Sequence, residues 1–291
     1  MKRIYHRNEH FYMNDKFFCK GFIHQFRKLR KRGLLFLFAI FWCLQSGCAV
    51  ERTGTAKDFS VYANQIFKSE ITASTLNMHY SLAHPENYGI SNYTVTYGNV
   101  SANSSNENSA VLENWKKTLE SFKKRNLSVS QQMTYDIMMD YIEKELPAGK
   151  YSLYREILKP STGFQSQLPV LLAEYMFYDE KDIEDYLSLL SCTSSLFQQI
   201  MEVEKQKVQK GLFMADFAVE DIVAQCNNFT QNPESNYLLS TFNDRIEEAT
   251  FLTSEQAENY KTKNHQIIIQ ELIPAYQKLA KDLSDLKGSG K

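Results

Sequence analysis

From Asp58 onward, apolar positions recur at three- and four-residue steps almost without interruption. That period marks helices burying one face each. Phe59, Tyr62 and Ile66 share the first such face, and Ser74–Leu82 reads as a second helix, halted before His84-Pro85-Glu86. The period then fails over Asn87–Asn108. There Ile90, Tyr93, Val95 and Tyr97 predict a short strand or an extended arm, and polar, low-complexity Ser101–Ser109 predicts a surface loop.

Helical spacing returns with Leu112, Trp115, Leu119 and Phe122, one face of a helix over Leu112–Arg125. Ser128 and Gln131 form a capping-box pattern ahead of Met133–Leu146, which Pro147-Ala148-Gly149 ends. Asp179 is placed to cap the longest helix, whose early acidic residues suit the helix dipole. Its stripe is Ile183, Leu187, Leu190, Leu196, Ile200 and Val203, and Gly211 stops it. Asn232-Pro233 predicts a cap with Pro at the first helical position. Thr253 and Gln256 form another capping box, opening a helix through Tyr260 and Ile267. Pro274 predicts a kink or break, after which Lys278–Leu286 resumes as helix until Gly288. No repeat and no internal linker divides this body. The fold class is all-α, an irregular multi-helix bundle with a short extended arm near residues 90–100.

The residues before this body have a different character. Leu34–Leu44 is wholly apolar and follows Arg27, Lys28, Arg30, Lys31 and Arg32. It suits the core of a signal peptide and falls short of the ~20 residues that span a bilayer. Ser46-Gly47-Cys48 follows, small residues before a Cys, as in bacterial lipoproteins lipidated on the thiol. Gln45 occupies the place where such sites carry an aliphatic residue, with Leu44 one further out. Residues 1–48 therefore read as a basic leader, signal peptide and lipidation site at Cys48, 49–57 as a tether, and 58–291 as the helical body. The alternatives are an uncleaved signal anchor and a buried helix in a soluble protein. Lipid or signal anchoring gives the expected location, the extracytoplasmic face of the cell membrane. Of the remaining cysteines, Cys19 and Cys43 fall in the leader, leaving Cys192 and Cys226 to pair or to stay as buried thiols.

The net charge of −1 averages two unlike parts. Residues 1–47 hold ten Lys and Arg against two Asp and Glu, leaving 23 basic and 32 acidic residues of the totals 33 and 34. An acidic body repels phosphate backbones, so no nucleic-acid partner is expected.

Candidate chemistry is sparse. His6-Arg7-Asn8-Glu9-His10 matches an inverted zinc-hydrolase spacing, but it lies in the basic leader, without a packed scaffold. The body has only His79, His84 and His265, with no paired ligand spacing. Gly163, Gln165 and Gln167 form the best candidate substrate loop, since two amide side chains can hydrogen-bond a peptide backbone. A helix entry, with Pro169 near the first turn and the Gln side chains capping, accounts for the same residues. Glu174 follows without a base partner or metal ligand. Lys287-Gly288-Ser289-Gly290-Lys291 lacks the spacing of a phosphate loop. No nucleophile, base and orienting group stand at readable spacing, so a metal-free enzyme has little support. No catalytic and no metal-ligating residue is assigned.

Lys159–Leu187 resembles a family of exported bacterial proteins known as the domain of unknown function 885 family. Asn77–Ile90, Gln132–Ile137, Lys210–Asp216 and Leu272–Tyr276 are similar to further landmarks of that family, in the same order and approximate spacing. The resemblance covers roughly Phe59 to Lys291. It implies a helical architecture related to zinc metallopeptidases of the Taq-type carboxypeptidase kind, with zinc as cofactor and peptide as substrate. In that family a later helix carries a His-Glu-x-x-Pro-Gly-His-type stretch. This sequence contains no His-Glu dipeptide. The expectation is therefore the N-terminal half of a metallopeptidase-like lipoprotein, with no cofactor in this chain and no hydrolysis by itself. The alternative is a non-enzymatic lipoprotein that captures peptide or glycan outside the cell.

Overall fold

The computed structural model describes residues 54–101 and 104–290. The leader, Cys48 and most of the tether lie outside them. The described residues are all-α, and none of them forms a strand. The helices are α1 (Gly54–Thr72), α2 (Thr75–Ser81), α3 (Ser104–Glu120), α4 (Val129–Ala148) and α5 (Phe164–Ala173). They continue as α6 (Glu180–Lys210), α7 (Asp216–Thr230), α8 (Tyr237–Glu248), α9 (Ser254–Ile267) and α10 (Ile273–Ser284).

The chain forms two compact units. Among the described residues, one comprises those up to Phe67 with Lys117–Tyr141, the other those from Lys68 to Lys116 and from Ile142 onward. In the first, Phe59, Ala63, Leu119 and Met138 are buried. Phe122 meets Phe59 edge to face at 5.4 Å. Gln131 does two tasks here. Its Oε1 accepts from Ser128 N–H at 3.0 Å, closing the capping box, while its Nε2 donates to Ala56 O and Ser60 Oγ, each at 2.8 Å. One side chain thus caps α4 and ties it to the start of α1.

The second unit is built on α6. Asp179 caps it through a complete capping box with Asp182, and Gly211, at φ 67°, ends it in the left-handed conformation. Ile183, Tyr186, Leu190 and Ile200 are fully buried along it. Tyr276 of α10 fills the space between Phe197 and Phe229, with ring centroids at 4.8 and 4.5 Å.

The irregular segment is an extended arm laid along α6. Tyr93 OH donates to Asp185, Tyr97 OH pairs with Thr193 Oγ1 at 3.2 Å, and Val100 N–H donates to Gln199 Oε1 at 3.2 Å. These anchors fall two turns of α6 apart or nearly so. Its partners are helix side chains and the Thr75 N–H at the start of α2, which donates to Thr96 O at 2.8 Å, not another strand's backbone, so the arm makes no ladder.

Three local expectations need correction. Ser104–Ser109 is helical, not loop: Asn99 Nδ2 donates to Glu107 Oε2 at 2.7 Å, and Ser105 Oγ donates to Gly149 O at 2.7 Å. Asn232-Pro233 opens only a short 3-10 turn, and Asn236 caps α8 instead, accepting from Leu238 N–H at 3.0 Å. Pro274 does not break the chain's last long helix. A π turn over Ile268–Leu272 precedes it, and the widened turn accommodates the missing N–H. Cys192 and Cys226 are both free thiols, Cys192 half-buried and Cys226 buried.

Candidate functional site

The loop Lys159–Gly163 enters α5 and brings Gly163, Gln165 and Gln167 together. Gly163 is the N-cap residue, and its hydrogen in place of a side chain is required. A β-carbon there would collide with the Lys159 backbone and with Gln165 Oε1. Gln165 is buried, and its Nε2 donates to Lys159 O and to Gln225 Oε1, each at 2.8 Å. Gln225 Nε2 in turn donates to Pro160 O. Gln167 Nε2 donates to Thr162 O at 2.6 Å. From α10, Tyr276 OH donates to the Gln165 carbonyl at 3.0 Å. The amide N–H groups that could have read a peptide are thus bonded to carbonyls of their own loop and to α7. Among the three residues' side chains, Gln165 Oε1 alone is buried without a partner.

A second cluster surrounds the start of α6. His79 of α2 stacks flat on Tyr175, with centroids 3.6 Å apart and planes 8° from parallel. Met176 N–H donates to His79 Nε2 at 3.2 Å. That bond leaves the ring proton on Nδ1, which faces Asp182 Oδ1 at 3.3 Å. The other Asp182 oxygen accepts from Tyr178 N–H at 2.8 Å. Neighbouring carboxylates are engaged as well. Asp185 takes Lys181 Nζ at 2.9 Å and the Tyr93 hydroxyl, while Glu180 Oε1 takes Tyr260 OH at 2.7 Å and Gln256 Nε2 at 3.1 Å. Burial and the Asp185 bond both raise the Tyr93 phenol above its ordinary value. This cluster stitches α2, the arm and α9 onto the head of α6. Glu174 is exposed at the end of α5 and belongs to neither cluster.

Sequence reasoning missed a third group. Lys207 and Glu204 of α6 are completely buried as an ion pair at 3.1 Å, and Lys207 also holds Glu156 at 3.2 Å. Glu204 Oε2 is buried without a partner. Burial raises the Glu204 carboxyl above its ordinary value, opposed by Lys207. A signal was present: Lys207 continues the apolar stripe of Ile200 and Val203 by a four-residue step.

The described residues do not fit a zinc ion. Both ring nitrogens of His79 are engaged, His84 Nδ1 faces Glu86 at 3.2 Å, and His265 Nε2 faces Glu234 at 2.8 Å. Among the described residues no three His, Cys, Asp or Glu side chains gather as a metal site.

The helical order and these landmarks agree with a known family. Its sequence profile, described as "Bacterial protein of unknown function (DUF885)", matches residues 86–289, and the chain belongs to that family. No curated protein matches it. Among solved structures, the chain is similar to a presumed lipoprotein from Colwellia psychrerythraea, with a TM-score of 0.61 at 16% identity. That likeness is one of fold. It covers 78% of this chain and 42% of the Colwellia chain, so the matched part spans less than half of that protein's length.

Proposed function

We propose that this chain is an N-terminal helical portion of an exported, lipid-anchored protein resembling zinc metallopeptidases, and that it does not hydrolyse peptides by itself. Its place is the extracytoplasmic face of the cell membrane, held through Cys48. The observation that carries the reading is the match to part of a longer lipoprotein-like chain, 42% of its length, in a chain that itself carries an apolar leader ending at Cys48. The helices would supply one wall of a peptide-binding cleft, and residues outside this stretch would supply the zinc and its ligands. Metabolic labelling with a radioactive fatty acid tests the anchor: label is expected on the native chain and absent from Cys48→Ser. Metal analysis and peptide digestion test the chemistry. Stoichiometric zinc with chelator-sensitive cleavage by this chain alone would overturn the reading.

One observation favours the alternative, a non-enzymatic glycan- or peptide-binding lipoprotein. Tyr151 and Tyr154 are each 64% exposed, with ring centroids 6.2 Å apart. Exposed rings of this kind stack on sugar faces. Saturable glycan binding lost in Tyr151→Ala would favour that alternative.

A further inference from the structure

We infer that the turn and helix start over Lys123–Met133 form a second, non-covalent membrane contact, a surface that docks on anionic lipid. The inference rests on the anchored reading of Cys48.

Four observations converge on this face of the smaller unit. Lys123, Lys124 and Arg125 are consecutive and all exposed, in a body whose overall charge is acidic. Immediately beyond them, Val129 is 83% exposed and Met133 56% exposed. These two lie one helical turn apart on α4 and point from one face. Lys124 is drawn to that face, because its Nζ bonds Asp136 Oδ1 at 2.6 Å, three residues beyond Met133. Asp136 offsets the charge of Lys124, which leaves Lys123 and Arg125 as the cations of the triplet without an ion pair among the described residues. Cations flanking exposed apolar side chains are the composition of an interfacial membrane surface: the apolar groups enter the headgroup boundary and the cations meet lipid phosphates. Single exposed apolar residues are ordinary, so the combination is the argument.

Position supports the same occupant. Gln131 Nε2 donates to Ala56 O at 2.8 Å, which sets the start of α4 beside the point where the chain enters α1. Ala56 lies eight positions after Cys48. At ~3.3–3.6 Å per extended residue eight steps reach at most about 29 Å, and less here because α1 already begins at Gly54. An acylated Cys48 therefore keeps Val129 and Met133 within a short tether of the bilayer.

The test is lysine footprinting of the full chain, purified from membranes and reconstituted in vesicles of phosphatidylglycerol, in vesicles of phosphatidylcholine, or kept in detergent. Acylation of Lys123 and Lys124 is expected to slow at least threefold in phosphatidylglycerol relative to the other two. Lys278 and Lys281 on α10 should react equally in all three. Equal labelling of Lys123 and Lys124 throughout would overturn the inference. The double variant Lys123→Glu, Arg125→Glu and the double variant Val129→Ser, Met133→Ser should lose the protection while keeping native helicity and staying in the vesicle pellet. Retained protection in both would also overturn it. If the chain fails to stay with vesicles at all, the anchor reading fails, and added phosphatidylglycerol vesicles then decide the docking surface: protection supports it and none refutes it.

Discussion

His79 Nδ1 and Asp182 Oδ1 lie 3.3 Å apart, joining α2 to the first turn of α6 through the carboxylate that closes that helix's capping box. One Asp side chain thus serves a helix cap and a tertiary contact together. His79→Ala removes this bond, the Met176 N–H bond and the Tyr175 stack. Loss of two hydrogen bonds and a packed ring should cost about 2–4 kcal/mol. Urea denaturation checks it. In a double-mutant cycle with Asp182→Ala the two changes should be clearly less than additive.

Gly163 is required by space and not by its backbone angles, since its φ is −72°. Gly163→Ala should destabilise by about 1–3 kcal/mol, the range for an overpacked site, because the atoms in the way are mostly backbone. Gln165→Leu should cost a similar amount, because Lys159 O and Gln225 Oε1 lose their donor. Thermal unfolding of both variants tests the loop as a structural latch. If Gln165 instead served a ligand, its replacement would leave stability unchanged.

Lys207→Met strands Glu204 in the core. Breaking a buried pair by removing one partner costs about 3–5 kcal/mol near neutral pH. The sign with pH follows from burial, which raises the Glu204 carboxyl above its ordinary value of 4.5. A group raised in the folded state contributes stability below its unfolded value and loses it as pH rises through its folded value. The variant's deficit should therefore be smallest in acid and grow toward neutrality. Adding Glu204→Leu should recover part of the loss and flatten that dependence, as denaturation at several pH values would show.

The two body thiols should differ in reactivity. Cys226 is buried and its thiol is pushed up to about 12 by burial. Cys192 is half-buried, its thiol raised by burial and by Glu271. Under native conditions at mildly alkaline pH, alkylation mapped by mass spectrometry should find Cys192 first. Cys226 should react only on unfolding, since the thiolate is the reactive form.

Local signals were legible wherever one residue set one piece of backbone. Asp179, Thr253 and Ser128 cap their helices in the predicted way, and Gly211 ends α6, because capping depends on residues three apart in sequence. The face of Phe59 and Ile66 is buried as periodicity implies. Ser104–Ser109 was not legible as helix, because bonds from Asn99 and to Gly149 support it. The candidate loop was legible as a cluster of Gly163, Gln165 and Gln167, but not what its amides bond.

Sequence by itself determined that the body is helical, where most of its helices start and stop, which face of several of them turns inward, and that the apolar run Leu34–Leu44 stands ahead of Cys48. Those properties follow from spacings of a few residues. Tertiary structure alone decided that the Gln165 amide turns onto Lys159 and Gln225, that His79 meets Asp182, and that Lys207 lies buried beside Glu204. The Gln165–Gln225 and His79–Asp182 contacts join residues 60 or more positions apart, and the Lys207–Glu204 pair, three positions apart, is buried only by the elements packed over it; chain-local energetics carry no information about which distant group will arrive to satisfy or cover a polar side chain.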